Sequence, residues 1–362
     1  MPLIAVLSNP NSSGNRRHLP RIREFCADRG NVMNVEVSNL ALLRPALDRI
    51  AAARPDVFVI NGGDGTIQSV LTELYADDGP DWKLPPIALM PGGRTNVIAK
   101  DMGASGDPLR ALQRVIAIAE TDLDDYLSIR QLISLSTGAG QRPTMGMFLA
   151  AGSLADLMLW CRHRLYSLGM PTWIAHVVTL ICGVISVLTD WGARFLPPPP
   201  APADVCVGGR KLRGRYQILM VSTLQNLVLW GRTPHGWPGT LSLIALERNR
   251  TAVARMVWKG LTGQLARARF PGLNVLPGNE IRFEAGISNV IMDGESFTAG
   301  PGETITLKPV PGVRFVDLRS RVRVTEPMAD EAPAYGASRP EAAGVSRMTD
   351  VLSDARIQSR KL

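Results

Sequence analysis

The chain has 362 residues, 45% of them hydrophobic and 20% charged, a composition typical of a folded protein and not of a disordered one. Its length predicts two domains, because one hydrophobic core rarely serves so long a chain. The formal net charge of +8 fits an anionic partner. No run of Lys and Arg interleaved with aromatic residues is present, which argues against nucleic-acid binding. The four cysteines form no CxxC pair, which disfavours a zinc site or a disulfide framework.

Strands, turns and helices alternate over roughly the first 120 residues. The predicted elements are strands at 3–8, 34–37, 56–60 and 86–90, and helices at 19–29, 40–53, 67–75 and from Thr95. The runs at 56–60 and 86–90 are almost uninterruptedly apolar, as in central parallel strands. The first run lacks a basic leader, so we expect a strand there and not a signal peptide. This order predicts a doubly wound α/β domain over residues 1–122.

The sequence pattern changes after this region. Short β-like runs separated by glycine and proline predict an antiparallel β-sandwich over residues 123–320. From Glu326 the chain has little apolar pattern, which predicts a disordered tail over 326–362.

An apolar helical insertion is predicted at about 154–200, within the sandwich region. Its most apolar part, Trp173 to Leu188, is borderline in length for a membrane span, which needs about 20 residues. We expect a buried or dimer-facing helix there. Two alternatives remain: a membrane span, and a helix that lies in a membrane surface with Arg162, Arg164 and Arg194 near anionic head groups.

Three polar turns follow predicted strands: Asn9-Pro10-Asn11-Ser12-Ser13-Gly14, Gly62-Gly63-Asp64-Gly65-Thr66 and Pro91-Gly92-Gly93-Arg94-Thr95-Asn96. The ends of parallel strands meet at one sheet edge, where open α/β sheets bind ligands. Neither GxxxxGK[ST] nor GxGxxG is present, so neither a P-loop nor a dinucleotide fingerprint explains these turns.

The glycines of the second turn predict a phosphate-binding site. They allow positive φ and let phosphate oxygens approach backbone N–H groups, and a helix starting after Thr66 would add its positive end. Thr66 would cap that helix, bind a phosphate, or both. Asp64 would repel phosphate unless Mg²⁺ lies between them or the carboxylate orders water. An ordinary glycine-rich turn is the alternative.

With GGDGT intact at 62–66, the chain resembles the soluble diacylglycerol kinase family, which includes the sphingosine and bacterial lipid kinases. The turn at 9–14 resembles that family's first nucleotide loop, 91–96 its P-x-G-T-x-N turn, and Met292-Asp293-Gly294-Glu295 its D-G-E motif. The resemblance spans roughly residues 3–320. It implies a nucleotide-binding α/β domain like that of NAD kinases, a β-sandwich lipid domain, and phosphorylation of a lipid hydroxyl with ATP and Mg²⁺ in the cleft between them.

The resemblance also implies residue roles. Asp64 would organise Mg²⁺ and water, and either Asp293 or Glu295 would act as the general base. Taken alone, Asp293-Gly294 predicts an ordinary hairpin turn. Asp156 resembles the acid of a family G-x-G-x-D element and would extend the metal–water network, or else is a solvated residue near a helix start. The nucleotide would be held by Asn9, Pro10, Asn11, Ser12, Ser13, Gly62, Gly63, Asp64, Gly65, Thr66, Gly93, Arg94 and Asn96.

The sequence departs from the family pattern at three positions. Arg94 replaces a Thr and would either clamp a phosphate or obstruct the nucleotide site. Leu154 replaces the second Gly of G-x-G-x-D, and Pro238 stands where an Asp would hold a structural Mg²⁺, so we expect that metal to be lost.

The resulting prediction is a lipid kinase acting on diacylglycerol or a related lipid alcohol. The alternatives are a kinase of a soluble nucleotide, similar to NAD kinases, and a nucleotide- or membrane-binding protein that has lost turnover. We expect a cytoplasmic protein, peripheral to the inner membrane through 154–196, with a homodimer through sandwich edge strands as a possibility.

Overall fold

A parallel sheet and a β-sandwich make up the computed structural model, which describes residues 1–76, 82–138, 140–165, 172–189, 199–227, 231–232, 239–300 and 302–319. Pro238 and the predicted tail at 326–362 lie outside the described residues. The helices are α1 (Asn15–Ala27), α2 (Leu43–Ala53), α3 (Asp64–Leu74), α4 (Val97–Asp101), α5 (Pro108–Ala119), α6 (Ser153–Trp160), α7 (Thr172–Thr189) and α8 (Arg250–Leu261).

The strands fall into two large sheets and one short hairpin. They are β1 (Ile4–Ser8), β2 (Val32–Glu36), β3 (Val57–Gly62), β4 (Ile87–Pro91), β5 (Leu127–Ser136), β6 (Thr144–Gly146), β7 (Phe148–Ala151), β8 (Ala203–Val207), β9 (Arg210–Gly214), β10 (Tyr216–Ser222), β11 (Asn226–Leu227), β12 (Gly231–Arg232), β13 (Leu241–Glu247), β14 (Leu273–Gly278), β15 (Ile281–Ala285), β16 (Asn289–Met292), β17 (Glu295–Thr298) and β18 (Ile305–Val316).

The first sheet begins with parallel strands in the order β2-β1-β3-β4. Every residue of β1, β3 and β4 is buried, which explains why these strands are continuous apolar runs in the sequence. The sheet continues through β18, which is parallel to β4, and then through β15, β8 and β9, which are antiparallel to their neighbours. The C-terminal strand therefore joins the parallel and antiparallel parts.

The second sheet is antiparallel, in the order β14-β13-β10-β7-β16-β17. It packs face to face on the antiparallel part of the first sheet. The shared core takes Ile133, Val205, Phe283 and Leu307 from the first sheet and Leu149, Leu219, Leu243 and Val290 from the second. The predicted fold class, an α/β domain followed by a β-sandwich, is confirmed.

Two helices start earlier than predicted. α1 begins at Asn15 and not near Leu19, because the buried Asn15 amide donates to the carbonyls of Asn9 and Asn61 and holds the helix start against the sheet edge. α3 begins at Asp64 and not at Ile67, so Gly65 and Thr66 are helical.

The apolar segment contains the expected helix, α7, which packs against α8 on the second sheet. Among the described residues, no helix is long and apolar enough to cross a membrane.

Candidate active site

The three polar turns meet at the carboxyl-terminal edge of the parallel sheet. β1 lies between β2 and β3, so the winding of the chain reverses beside it, and such a reversal opens a crevice. The Asn9 N–H donates to the Asn61 carbonyl at 2.9 Å, and the Gly14 N–H donates to the Gly92 carbonyl at 2.9 Å. The structure thus brings together the turns that the sequence placed at one edge.

The glycines of these turns are required by close packing and not by backbone conformation. The predicted positive φ is wrong: Gly63 has φ −87° and ψ 176°, and its fellow turn glycines also lie outside the left-handed region. A Cβ on Gly93 would lie 2.5 Å from the Gly63 Cα. A Cβ on Gly92 would lie 2.8 Å from the side-chain oxygens of both Asn15 and Asn61. Larger residues would therefore push the turns apart.

The first turn divides into a site-facing part and an outer part. The Ser12 hydroxyl accepts a hydrogen bond from the Gly63 N–H at 3.3 Å. Asn11 is exposed, and its amide donates to the Ser38 carbonyl at 2.7 Å, away from the glycine turn. Pro10 is partly buried and Ser13 is exposed.

The N-terminus of α3 supplies donors for an anion. Within the described residues, the N–H groups of Asp64 and Gly65 donate to no protein acceptor, and helix N-termini of this kind attract phosphate. Of the two roles considered for Thr66, capping the helix is excluded, because Gly63 occupies the N-cap position. The Thr66 hydroxyl instead accepts from the Asn9 amide at 2.9 Å and lies 3.3 Å from the Ser12 hydroxyl.

Asp64 connects the second turn to the third. Its two carboxylate oxygens accept hydrogen bonds from the N–H groups of Val97 and Ile98, each at 3.1 Å. Burial raises the pKa of Asp64, while these two backbone donors act in the opposite direction. Asp64 therefore fixes the start of α4, and its remaining lone pairs stay available to water or a metal.

The third turn is closed on itself by Asn96, which lies in the left-handed region at φ 51°. Its side-chain oxygen accepts from the Gly93 N–H at 2.7 Å, and its amide donates to the Gly93 carbonyl at 2.9 Å. Arg94 is exposed at the tip of this turn.

Asp293 and Gly294 are the two turn residues of the β16–β17 hairpin. Both have positive φ, 50° and 92°, as a type I′ turn requires. The Asp293 side chain is buried, and its oxygens accept from the N–H groups of Met147 and Phe148, each at 2.9 Å. Burial raises the pKa of Asp293 to about 8, and the charge of Asp64 contributes in the same direction.

Contacts across more than 200 residues of sequence hold the hairpin against α3. The buried Gln68 amide donates to the Met292 carbonyl at 2.8 Å. A Cβ on Gly65 would lie 2.9 Å from the Glu295 Oε1, so glycine allows this carboxylate to reach the first turn of α3. Arg162, beyond α6, donates to the Gly294 carbonyl at 3.1 Å.

Sequence reasoning missed Asn15, Gln68 and Gly146 as parts of the site. A Cβ on Gly146 would lie 2.6 Å from the Asp293 Oδ2, so this glycine admits the buried carboxylate. Asn15 directly follows the first turn, which was the one available signal. Nothing local in the sequence indicates the other two.

Asp156 lies in the first turn of α6, where burial raises its pKa. It lines a cavity of about 250 Å³ together with Ser153, Tyr216 and Asn289. The charges that shift the pKa of Asp293 include Asp64 but not Asp156. Within the described part of the chain, no three His, Cys, Asp or Glu side chains converge as a metal-binding group, so the metal roles of Asp64 and Asp156 remain predictions.

The chain is similar to known proteins in part of its sequence and in its fold. Residues 4–125 match the model of the diacylglycerol kinase catalytic domain. A Bacillus anthracis str. Sterne protein assigned as a diacylglycerol kinase is 14% identical, with a TM-score of 0.58 over 87% of this chain and 96% of its own. Another structure of a diacylglycerol kinase from that organism is 13% identical, with a TM-score of 0.54 over 88% and 98%. At this identity the structures show the fold alone. No curated protein matches the chain.

Proposed function

Because residues 4–125 match the model of the diacylglycerol kinase catalytic domain, we propose that the chain is a kinase that transfers the γ-phosphate of ATP to a lipid hydroxyl. Diacylglycerol or a related lipid alcohol is the proposed acceptor. The observation that carries this proposal is the approach of Glu295 to Gly65, which puts a carboxylate of the sandwich beside the anion-binding end of α3.

The nucleotide phosphates would bind at the glycine turns. The unpaired N–H groups of Asp64 and Gly65 lie at the positive end of an 11-residue helix, which favours negative charge. Ser12 and Thr66 border this position and are already hydrogen-bonded to the same framework. Arg94 is exposed at the turn tip, and in the clamping alternative its guanidinium would bind a phosphate there.

The residues present are compatible with Mg²⁺. This ion usually binds one or two protein carboxylates and completes its shell with water and substrate phosphates, so a group of three protein ligands is not needed. Asp64 would hold it, since its carboxylate lies next to the phosphate-binding N–H groups and keeps lone pairs free. Bound there, the ion would neutralise charge on the transferred phosphate.

We assign the general base to Glu295 and a positioning role to Asp293. The raised pKa of Asp293 would suit a base, but the residue is only 5% exposed and both carboxylate oxygens accept backbone hydrogen bonds. Glu295 is exposed beside α3, so a lipid hydroxyl can reach it. We choose the carboxylate that the lipid hydroxyl can contact, because a base must contact the proton it accepts. Asp293 instead fixes the hairpin that carries Glu295.

The test is direct. Purified protein is incubated with labelled ATP, Mg²⁺ and a total bacterial lipid extract, and the phosphorylated product is identified by mass spectrometry. Glu295→Gln, a substitution at an exposed position, is the matched variant and should lower the rate of labelling by about 10²-fold or more. Absence of label on every lipid with the parent protein would refute the proposal, and label on added NAD instead would establish the soluble-nucleotide alternative.

A further inference from the structure

Helices α7 and α8 cover the outer face of the second sheet. Their inward side chains include Val187 of α7 and Val253 and Met256 of α8, which pack on Met220 and Ile244 of the strands. Arg248, two residues before α8, donates to the Ser186 carbonyl of α7 at 3.4 Å. The two helices therefore form one layer, with an opposite side that faces away from the protein.

That opposite side exposes large apolar residues. Trp258 is 66% exposed and Leu261 is 81% exposed, three residues apart on α8, so they share one face. Ile181 and Ile185 of α7 are 51% and 40% exposed. Eight large apolar side chains are exposed among the described residues, and these four belong to two neighbouring helices. Such clustering marks an interaction surface, whereas scattered exposed residues need no explanation.

The same region is strongly basic. No Asp or Glu occurs between Arg248 and Asn279, a stretch that contains Arg248, Arg250, Arg255, Lys259, Arg267 and Arg269. Arg255 is exposed and lies one turn before Trp258, and Lys259 follows it. A helix with Trp and Leu on its outer face and basic residues beside them fits the boundary between the head groups and acyl chains of an anionic bilayer.

We propose that the α8 face, defined as Arg255, Trp258, Lys259 and Leu261 with Ile181 and Ile185 of α7, docks on the surface of an anionic lipid membrane. The inference rests on the proposed function, since a kinase of bilayer lipids must reach its acceptor at a membrane. Charge selects the bilayer over a second copy of the chain: two such basic faces would repel each other, whereas anionic lipids attract them.

The test measures binding to vesicles by sedimentation at low ionic strength. One set of vesicles contains phosphatidylcholine alone, and the other contains phosphatidylcholine with phosphatidylglycerol. We expect the parent to bind the anionic vesicles more tightly. The double variant Trp258→Ser/Leu261→Ser should bind about tenfold more weakly or worse, and Arg255→Gln should lose about fivefold on anionic vesicles alone.

The control variants come from the α/β part of the chain. Leu40 and Leu42 are 64% and 54% exposed, so Leu40→Ser/Leu42→Ser removes two exposed large apolar side chains outside the α8 face. Arg49, exposed on α2, provides the charge control Arg49→Gln. Both controls should bind like the parent. If they weaken binding as much as the α8 variants, or if the α8 variants bind normally, the docking surface is refuted.

Kinase assays separate this inference from the proposed function. With a short-chain diacylglycerol in detergent micelles, the α8 variants should keep the parent rate, because their substitutions lie outside the catalytic residues. If the parent phosphorylates no lipid but binds anionic vesicles through the α8 face, docking stands and the proposed function falls. A parent that sediments as a dimer, and becomes monomeric in the double variant, would show that a second copy occupies the face.

Discussion

Replacing Asp293 with asparagine should change how the stability of the protein depends on pH. In the folded protein, burial raises the pKa of this carboxyl to about 8, whereas an unfolded chain titrates it near 3.9. Between these values the folded state retains a proton that the unfolded state has lost. The free energy of unfolding of the parent therefore falls as the pH rises through this window.

The size of the effect can be worked out. One bound proton changes the free energy of unfolding by about 1.4 kcal/mol per pH unit, so the parent should lose about 2.7 kcal/mol between pH 5 and pH 7 through Asp293 alone. The asparagine variant does not titrate. Its free energy of unfolding is lower by a separate, pH-independent amount of about 1–3 kcal/mol, because the amide NH₂ faces one of the two N–H donors from Met147 and Phe148.

Urea unfolding of parent and variant at pH 5, 6 and 7 measures this difference, since all other titrating groups are common to both proteins. The gap in the free energy of unfolding, parent minus variant, should fall by about 2.7 kcal/mol from pH 5 to pH 7, and the variant becomes the more stable protein wherever this fall exceeds its fixed cost. A gap that stays constant would mean that burial does not hold the proton on Asp293. Backbone donors that outweighed burial would give the same constant gap, because the carboxyl would then be ionised in both the folded and the unfolded state from pH 5 to pH 7.

Three further predictions concern the same site. Glu295→Gln should lower kcat by about 10²-fold or more with unchanged urea stability, and a fall smaller than tenfold would contradict its role as the base. Gly92→Ala should cost about 1–3 kcal/mol, because its Cβ would meet three atoms within 3.0 Å; Gly30→Ala, with nothing within 4 Å, should be nearly neutral in the same denaturation assay. Asp64→Asn should lower the free energy of unfolding by about 0.5–2 kcal/mol, because Asp64 caps the start of α4. The substitution also removes a negative charge near Asp293 and should lower the pKa of Asp293. The fall of stability with rising pH should therefore level off at a lower pH in this variant than in the parent. If the pH profile of this variant is the same as that of the parent, the charge of Asp64 does not influence the pKa of Asp293.

The sequence predicted β1, β3 and β4 of the parallel sheet well, since burial on both faces makes these strands continuous apolar runs that can be recognised locally. It also placed the polar turns at one edge, because parallel strands leave no other arrangement. The D-G-E hairpin was predicted both as a turn and as a site, and it is a turn that lies at the site.

The remaining features depend on partners that are distant in sequence. Asp64 and Gly65 look like turn residues, yet they start a helix, and the N–H groups that Asp64 accepts from belong to Val97 and Ile98. Position 65 requires glycine because a Cβ there would come too close to the side chain of Glu295. No local pattern encodes contacts of this range, and for that reason the sequence indicated that glycine is needed in these turns but not the close packing that requires it.

The position of β18 has a consequence for synthesis on the ribosome. This strand, Ile305–Val316, pairs with the side of β4 that faces away from β3. The nascent parallel sheet therefore emerges with an open edge on β4, which is entirely buried and apolar in the folded protein, and it waits on the order of tens of seconds for its neighbour to be translated. Open strand edges invite pairing with other chains. The vulnerable species for this protein is thus the half-made chain, and a chaperone that shields β4 until residue 316 has left the exit tunnel would raise the yield of folded protein without affecting its final stability.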